Sequence, residues 1–573
     1  MVNTGKPSQG CGTCRTRRIK CDEAKPTCMR CQKANRECSG YRNAEEIRQI
    51  RDRRRITKKA RVDDHRHAEL VSSLFRRPIS QGSSSGHLIS PRVTSSLSPT
   101  MVLSSSTLEE EAFCYFSQNF ILTPCRGNSR SYMGFVIPAV QGEQSIASPT
   151  SMLSTVTMSV AYALLANRSN AKELIPKAST EYARGLQMIN DALRDPVQAL
   201  EDNTLASVIL LGLFEVITGS GARAGGWCSH AEGANILVKL REKNQNLTEL
   251  GRTLHVMVRS QMTVHCLITL TSPHLGVDWW MKFGTKDGLP ALCARLSLET
   301  AEFHAETNRV LTSAERIPED ISRVVKLVQT GKALEEEYEQ WAKVLPSIWR
   351  PRSVAWVDAA YHHNLDNATA YPGRVDEYAD ISIATACNMM RASRILLAAD
   401  IVRNSAWLGS GNQDYRITTE YTCASRVSKV MIEDIIASVP SFLGHKISGG
   451  LSNTSIAGSA ELVGKGALAL FILWPLFVTT MSDFIDPAQR IWAWGRLRYI
   501  TNEMGIGQAG HYSRFDIQIP SMFIMKDKLA EQEGQEFASK QCVEVIKQRI
   551  NYRLDWQIES VIAGILGCNP IAA

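Results

Sequence analysis

The stretch that decides the fold is "CGTCRTRRIKCDEAKPTCMRCQKANRECSGY", residues 11–41 of a 573-residue chain. Six of its residues are cysteines: Cys11, Cys14, Cys21, Cys28, Cys31 and Cys38. Their spacing is Cys-x2-Cys-x6-Cys, repeated after a further six residues, so the segment is an internal duplication. Paired Cys-x2-Cys spacing is typical of metal sites, because the two sulfurs reach one ion when the residues between them form the entry turn of a helix. We therefore predict that each half supplies three thiolates to metal.

The number of cysteines predicts that two sulfurs are shared. A structural zinc ion takes four ligands, so two separate ions would need eight sulfurs where this segment has six. The neighbouring cations Arg15, Arg17, Arg18 and Lys20 should lower the pKa values of the thiolates and stabilise an anionic metal core. The segment has little apolar content, so we expect its folding to depend on the metals. The N-terminus does not resemble a secretion signal, and we expect reduced cysteines rather than disulfides.

The cysteine segment resembles the binuclear zinc cluster of fungal transcription regulators. That family has two Cys-x2-Cys-x6-Cys halves, a basic run that ends in Lys-Cys, and a proline in the joining loop. Here the basic run is "CRTRRIKC" (Cys14–Cys21), the proline is Pro26, and every ligand position is filled. In the family the first and fourth cysteines bridge two zinc ions, which implies that Cys11 and Cys28 bridge here.

The basic residues between Cys14 and Cys21 are the candidate DNA contacts. We expect the first helix to begin near Thr13, and a helix tip of this size can enter the major groove. Arg17 and Arg18 are the predicted base readers, because arginine can donate two parallel hydrogen bonds to guanine. The resemblance implies that these two positions read CGG-like triplets and that Arg15 and Lys20 lie on phosphates.

Positive charge is concentrated at the N-terminal end. Residues 1–80 have 21 Lys and Arg against 9 Asp and Glu, whereas the remaining 493 residues have 44 against 48. Such a distribution favours a polyanionic partner for the N-terminal part. The basic run at residues 51–61 is a nuclear import signal, a phosphate-contacting arm or a solvated helix face, and all three interpretations stay open. The import candidates are Arg53, Arg54, Arg55, Lys58, Lys59 and Arg61.

A serine-rich segment separates this part from the rest. Eleven serines fall between Ser80 and Ser106, with little periodic apolar content, which is typical of a flexible linker. The chain is therefore divided into four parts. A zinc cluster domain spans residues 1–42 (core 11–38), a basic arm 43–79, a linker 80–107 and an all-α regulatory domain 108–573. The arm keeps no heptad register of apolar residues, so monomeric binding and dimeric binding through the body both stay open.

Apolar periodicity predicts helices throughout the body. Tyr182, Leu186, Ile189 and Leu193 form one stripe that ends at Pro196, and "DNTLASVILLGLFEVITG" (202–219) begins on a capping Asp or Asn and is apolar nearly all round. Further helical stretches lie near 226–241, 249–272, 320–344, 378–402, 416–438, 459–500 and 535–566. The apolar run at 466–481 is short for a bilayer and contains Pro475, so we interpret it as a buried core helix. The predicted fold class is mainly α, with a small zinc-stabilised cluster ahead of a large helical domain.

The body resembles the fungus-specific helical regulatory domain that often follows such clusters. The resemblance lies in Tyr182 and its helix, in Thr204–Glu215, in "WCSHAEGANILV" with Trp227, His230, Gly233 and Ala234, and in "LWPLFV" at Leu473–Val478. It implies a role in regulation and effector response, and no catalytic residues.

Short motifs of enzymes occur without the context that they need. "GSSSG" at 82–86 lies in the linker, and "GIGQAG" at 505–510 follows a helical segment with no strand before it. "HAE" at 230–232 lacks the downstream Pro-Cys-x2-Cys of zinc deaminases, and the adjacent His362 and His363 point apart on a helix. The nine cysteines outside the cluster are expected to be small buried hydrophobes. We predict that the protein is not an enzyme.

Taken together, the sequence predicts a nuclear, zinc-dependent regulator of RNA polymerase II genes that binds double-stranded DNA with two zinc ions per chain. Co-regulators or the transcription machinery are the expected protein partners, and no membrane partner is expected. Family habit implies control of a metabolic or secondary-metabolite gene cluster. The alternative is a zinc-stabilised adaptor for protein or RNA, although the near absence of aromatic residues between Cys11 and Cys38 disfavours single-stranded RNA.

Overall fold

A computed structural model of the chain forms two compact units, Met1–Val102 and Leu103–Ala573. The structure describes residues 11, 13–14, 17, 19–36, 38–40, 107–122, 131–143, 149–167, 171–219, 225–243, 248–282, 288–358, 364–409, 414–445, 464–515 and 521. The basic arm, the import candidates, nearly all of the proposed linker, and the helix predicted near 535–566 lie outside the described residues.

The N-terminal unit is built around its cysteines. Residues 13–14 form a helical turn, and the second half contains helix α1 (Met29–Lys33). Cys11, Cys14, Cys28 and Cys31 are at most 1% exposed, and Cys21 and Cys38 pack against them. Within the described part of this unit, the buried cluster consists of cysteines alone, which agrees with the expectation that metal bonds replace an apolar core.

The C-terminal unit is a helical assembly with one small hairpin. Its helices are α2 (Leu108–Phe120), α3 (Val136–Gln141), α4 (Met152–Ala166), α5 (Leu174–Arg194), α6 (Asp202–Thr218), α7 (Gly225–Leu240), α8 (Glu249–Thr269), α9 (Gly276–Met281), α10 (Leu289–Ser313), α11 (Pro318–Val344), α12 (Ile381–Leu408), α13 (Thr419–Phe442), α14 (Lys465–Met481), α15 (Pro487–Met504) and α16 (Gly507–Ser513). Strands β1 (Arg352–Val357) and β2 (Gly373–Glu377) pair antiparallel. The predicted mainly α fold is confirmed.

Three helices, α4, α6 and α12, lie at the centre of this unit and are largely buried. Helix α4 packs against α5 and α6, and every residue of α4 after Met152 is buried. Helix α12 contacts α10, α11, α13 and α14. A helix that is hydrophobic all round belongs in the interior, and this accounts for α4 and α6. Helix α12 is different, because many of its buried residues are polar.

Several local predictions are confirmed. Helix α5 places Ile189 in the core, with Tyr182, Leu186 and Leu193 packed against it, and it ends at Arg194, two residues before Pro196. The apolar run predicted as a core helix is α14, which is mostly buried and contains Pro475. Within the described part of the chain, no helix combines the length and the apolar character needed to cross a bilayer.

Other local predictions are wrong. Helix α6 is not capped by an aspartate or asparagine side chain: Glu201 is its N-cap residue and makes no capping bond, while Asp202 binds Arg241 and Thr248. The stretch predicted at 459–500 is two helices, because Asp486 and Pro487 begin α15 with a new cap. Helices α2, α3, α4, α9, α10 and α16 and the β1–β2 hairpin were not predicted individually.

Candidate metal centre

The six cysteine sulfurs of the N-terminal unit form two overlapping sets of four. One set is Cys11, Cys14, Cys21 and Cys28, and the other is Cys11, Cys28, Cys31 and Cys38. Within each set all the sulfurs lie within 4.8 Å of one another. Cys11 and Cys28 belong to both sets. Among the described residues, these are the groups of three or more His, Cys, Asp or Glu side chains close enough to share a metal ion.

The distances between sulfurs fit tetrahedral zinc. A Zn–S bond of about 2.3 Å in tetrahedral geometry places two sulfurs roughly 3.8 Å apart. The Cys11 and Cys28 sulfurs are 3.6 Å apart, Cys14 and Cys28 are 3.6 Å apart, and Cys11 and Cys31 are 3.8 Å apart. A set of four thiolates is also a donor set that zinc prefers. The residues present therefore fit two zinc ions.

The backbone holds the first cysteine of each half in the same way. The Cys11 sulfur accepts a hydrogen bond from the backbone N–H of Cys14 (3.4 Å), and the Cys28 sulfur accepts one from Cys31 (3.3 Å). Cys28 is the N-cap residue of α1, so its sulfur occupies the place that a serine oxygen takes in other helices. The Cys-x2-Cys spacing is the consequence of this turn, because it brings the second sulfur back beside the first.

The environments of the sulfurs divide them into two kinds. Burial raises the pKa of the Cys14 and Cys28 thiols, which lie inside the cluster. The backbone N–H of Cys11 donates to the Cys21 sulfur (3.4 Å) and lowers the pKa of that thiol to about 7. The backbone N–H of Cys28 likewise lowers the pKa of Cys38. Cys21 and Cys38 thus lose their protons more readily than Cys14 and Cys28, for which a nearby positive charge such as a metal ion favours the thiolate.

The predicted DNA contacts are only partly described. Arg17 and Lys20 are exposed, and no ion pair in the described part of the chain involves either of them. Arg15 and Arg18 lie outside the described residues. The structure also presents Arg30, Lys33 and Arg36 of the second half as exposed cations, which sequence reasoning missed. The 17-residue offset of the duplication does not point to them, because Arg17 and Lys20 correspond to Ala34 and Glu37.

Comparison with known proteins identifies two segments of the chain that match known domains. The sequence profile described as the fungal Zn(2)-Cys(6) binuclear cluster domain matches residues 9–46, and the profile described as the fungal specific transcription factor domain matches residues 113–327. The chain thus contains one segment that matches the fungal binuclear zinc cluster domain and a second that matches the fungal transcription factor domain. Both resemblances drawn from the sequence are confirmed, and the zinc cluster domain implies zinc binding.

Individual relatives in the family cover different shares of the chain. Transcription factor dbaG of Emericella nidulans is 23% identical over 403 residues, which is 70% of this chain and 90% of that protein. Transcriptional regulatory protein moc3 of Schizosaccharomyces pombe is 59% identical over 46 residues, or 9% of that protein. The aspercryptin biosynthesis cluster-specific transcription regulator atnN of Emericella nidulans is 57% identical over 37 residues, or 6% of that protein. No solved structure matches the chain significantly.

The body residues that carried the family resemblance join three helices. The Tyr182 hydroxyl of α5 donates to Glu215 of α6 (2.7 Å) and lies 3.0 Å from His230 Nε2 of α7. The Tyr182 ring stacks on Phe214 at 4.3 Å between centroids. Burial raises the pKa of Tyr182 and lowers that of His230, which favours the uncharged form of both side chains. The hydroxyl, the imidazole and the Glu215 side chain together join α5, α6 and α7.

Two of the motifs that resemble enzyme sites fall on described residues, and both have structural roles. His230 and Glu232 turn to different partners, because Glu232 lies 3.2 Å from His265 Nε2. In "GIGQAG", Gly505 ends α15 with φ +73°, and Gly507 meets the backbone of Gly219 so closely that a Cβ would lie 2.8 Å from it. These glycines end a helix and allow two backbones to touch. "GSSSG" and the His362–His363 pair lie outside the described residues.

The prediction that every other cysteine is buried is wrong. Cys266, Cys293 and Cys387 are buried in the helical core, but Cys114 and Cys423 are exposed and Cys228 is half-buried. Cys114 and Cys423 lie on the outer faces of the amphipathic helices α2 and α13, where a small side chain is tolerated in solvent. Their positions relative to the apolar stripe of each helix would have indicated this.

Proposed function

We propose that this protein is a nuclear, sequence-specific regulator of RNA polymerase II transcription that binds double-stranded DNA through a two-zinc cluster. The observation that carries the proposal is the pair of four-sulfur sets that share Cys11 and Cys28. The protein acts by binding and does not catalyse a reaction, as befits a member of a transcription factor family.

The proposed ligands of the two ions follow from the sulfur sets. Cys14 and Cys21 complete one site, Cys31 and Cys38 complete the other, and Cys11 and Cys28 bridge them. When bound, the two ions supply the bonds that hold the segment together in place of an apolar core. The chain's own contribution is to orient four of the sulfurs, those of Cys11, Cys21, Cys28 and Cys38, by backbone hydrogen bonds, and to bury those of Cys11, Cys14, Cys28 and Cys31.

The proposed DNA reader is the first half of the cluster. The backbone N–H of Arg17 donates to the carbonyl oxygen of Thr13 (3.3 Å), so Arg17 sits one turn along from the helix start with its side chain in solvent. Arg17 and Arg18 read guanines of a CGG-like triplet, and Arg15 and Lys20 contact phosphates. In the second half, Ala34 and Asn35 occupy the positions equivalent to Arg17 and Arg18. Neither has the guanidinium fork, so the second half contributes charge from Arg30, Lys33 and Arg36 but no comparable guanine reader.

The remaining assignments concern the rest of the chain. We place the cluster domain at 1–42, the basic arm with its import residues at 43–79, the linker at 80–107 and the regulatory domain at 108–573. Monomeric and body-mediated dimeric binding to DNA are both compatible with this arrangement. The relative named as a regulator of the aspercryptin biosynthesis cluster supports a role for this chain in controlling a biosynthetic gene set, together with co-regulators.

Competition binding tests the proposal directly. The full chain, loaded with zinc, is bound to a labelled duplex containing CGG and challenged with unlabelled CGG duplex, scrambled duplex or single-stranded RNA. We expect the CGG duplex to compete at least about 100-fold better than the scrambled duplex, and the preference to vanish with a zinc chelator. Equal competition by the two duplexes would overturn the proposed DNA readout and leave the adaptor function.

A further inference from the structure

A carboxylate next to the third cysteine of the first half reaches across to the second half. Asp22 directly follows Cys21, and its Oδ2 accepts a hydrogen bond from the backbone N–H of Met29 (2.9 Å). Its Oδ1 accepts a longer one from the backbone N–H of Arg30 (3.4 Å). Met29 and Arg30 are the first two residues of α1, which carries Cys31 and follows Cys28. The link therefore joins the end of one half to the helix start of the other.

The opposite link also exists. The 17-residue offset of the duplication makes Ser39, which directly follows Cys38, the equivalent of Asp22, and it makes Thr13 the equivalent of Arg30. The backbone N–H of Ser39 donates to the Thr13 hydroxyl (3.2 Å), and the two side-chain oxygens are 3.0 Å apart. Each half thus holds the helix start of the other half through the residue that follows its third cysteine.

These links act beside the two most exposed cysteines of the cluster. Cys21 and Cys38 are half-buried, whereas the other four cysteines are almost completely buried. Cys21 and Cys38 also each follow a six-residue spacer, whereas only two residues separate the other cysteines of each half. Cys28 and Cys31 are fixed together by α1, so α1 is a rigid anchor and Cys21 is the end that would move.

We propose that Asp22 is a positioning residue for the metal centre: by tying the chain after Cys21 to the first turn of α1, it holds the Cys21 sulfur in the first site. The inference rests on the proposed two-zinc cluster. The two links differ in strength, because a carboxylate accepts charge-assisted hydrogen bonds and a hydroxyl accepts neutral ones. The first site therefore depends on Asp22 more than the second depends on Thr13.

The experiment uses the full chain loaded with ¹¹³Cd, which takes the same thiolate ligands and gives an NMR signal for each site. A Cys21→Ser variant identifies the signal of the first site, since it removes a sulfur from that site alone. Release of cadmium to a competing chelator is then timed signal by signal. In Asp22→Ala we expect the first site to release its ion roughly 10- to 100-fold faster, with the second site changed much less.

Two variants serve as controls. Asp22→Asn keeps one carbonyl oxygen as an acceptor and should lie between wild type and Asp22→Ala. Thr13→Val has nearly the same shape as threonine but removes the partner of Ser39, and it should instead speed release from the second site, by a smaller factor. If Asp22→Ala binds no metal, the release rates of the two sites are compared in Asp22→Asn instead, and this comparison decides whether Asp22 acts on the first site.

The outcomes separate the two proposals. A wild-type chain with two signals and an Asp22→Ala variant that releases both ions at unchanged or equally increased rates would overturn the positioning role and leave the cluster intact. A wild-type chain that holds fewer than two ions would overturn the cluster, and the role of Asp22 with it.

Discussion

Neighbouring residues of the cysteine segment differ in solvent exposure and can therefore have different functions. Cys14 is 1% exposed, whereas Arg17, three positions later, lies in solvent. The cysteines can therefore serve the metals while the arginine remains free to meet a nucleic acid. Substitutions of the two kinds should have different effects, because one removes a ligand and the other leaves the metal centre whole.

Replacing Arg17 should reduce selectivity more than affinity for DNA in general. Loss of a two-pronged contact to guanine removes about 1–3 kcal/mol of base discrimination. We expect Arg17→Ala to weaken binding to CGG duplex roughly 10- to 100-fold more than binding to scrambled duplex, measured by fluorescence anisotropy. Lys33→Ala is the matched control: it should weaken both duplexes equally and reduce the salt slope by about one unit. Equal losses on both duplexes for Arg17→Ala would contradict its role as a reader.

Replacing a shared cysteine should cost more metal than replacing an outer one. Cys28 belongs to both sulfur sets and Cys21 to one. We expect Cys28→Ser to lose both ions, because each site is left with three sulfurs, and Cys21→Ser to retain close to one ion. Metal content per chain, measured by plasma emission spectrometry after gel filtration, checks this. Identical metal content in the two variants would show that Cys28 is not shared.

At the scale of elements, helix α15 illustrates how closely the body is packed. The indole N–H of Trp492 donates to the carbonyl oxygen of Ala368 (2.9 Å), and Arg496 donates to that of Asp366 (3.3 Å). Between these side chains, Gly495 touches the backbone of Asp366 directly. A Cβ at this position would lie 1.8 Å from the Asp366 carbonyl oxygen, so α15 could not keep its place.

A matched pair of glycine substitutions tests this packing. Gly495→Ala should lower the free energy of unfolding by about 3 kcal/mol or more, because backbone rather than a flexible side chain must move. Gly233→Ala, in α7, meets nothing within 4 Å and should be neutral or stabilising by up to about 1 kcal/mol. Urea unfolding followed by circular dichroism at 222 nm measures both. The packing described for α15 would be contradicted by equal stability of the two variants.

Helix α8 gives the body a dependence on pH. Burial lowers the pKa of His255 to about 4, and the charges of Arg259 and Arg241 act in the same direction. The unfolded chain, with a histidine pKa near 6.5, binds this proton first as pH falls. Stability from the neutral imidazole is therefore complete above pH 6.5 and is lost as the pH falls to about 4, on the order of 3 kcal/mol in all.

Unfolding of the full chain at pH 7.5, 6 and 5 checks this pH dependence. We expect His255→Gln to flatten the decline of stability between pH 6.5 and pH 5, relative to wild type. His274→Gln, which changes an exposed imidazole, is the control and should leave the decline unchanged. If the stability of His255→Gln declines between pH 6.5 and pH 5 as steeply as that of wild type, His255 does not control the decline.

Helix α10 shows why apolar periodicity alone misses some helices of the core. In α10 the pattern is broken by buried polar residues: Thr300 bonds Tyr338 (2.7 Å), His304 bonds Asp400 (2.6 Å), and Thr307 accepts from Asn404 (3.1 Å). These partners lie on α11 and α12, so nothing local marks α10 as buried. The β1–β2 hairpin is similarly hidden, because β1 has an irregular register between Ser353 and Ala355, and β2 is buried by α13.

The grouping of the six cysteines was predicted more completely than the fold of the body, for a local reason. Six ligands within 28 residues and a repeated spacing restrict the arrangement without any knowledge of the body. The contacts of Asp22 and Ser39 could not be predicted in the same way. They join residues seven or more positions apart across the duplication, and cysteine spacing carries no information about them.

At the scale of the whole molecule, the chain consists of two compact units with different sources of stability. Metal bonds are expected to hold the first unit, whereas a large apolar core holds the second. Removing zinc should therefore abolish DNA binding and leave the helical signal of the full chain nearly unchanged. Circular dichroism and anisotropy on the same sample check both halves of this prediction. A large loss of helix on chelation would contradict the independence of the second unit.

The count of zinc ions on the intact chain tests the central claim most directly. Native mass spectrometry of the purified 573-residue chain should show two zinc ions per chain, and a chelator should remove both together with the preference for CGG duplex. A chain that carries fewer than two ions when saturated with zinc, or that keeps its DNA preference after both are removed, would contradict the account.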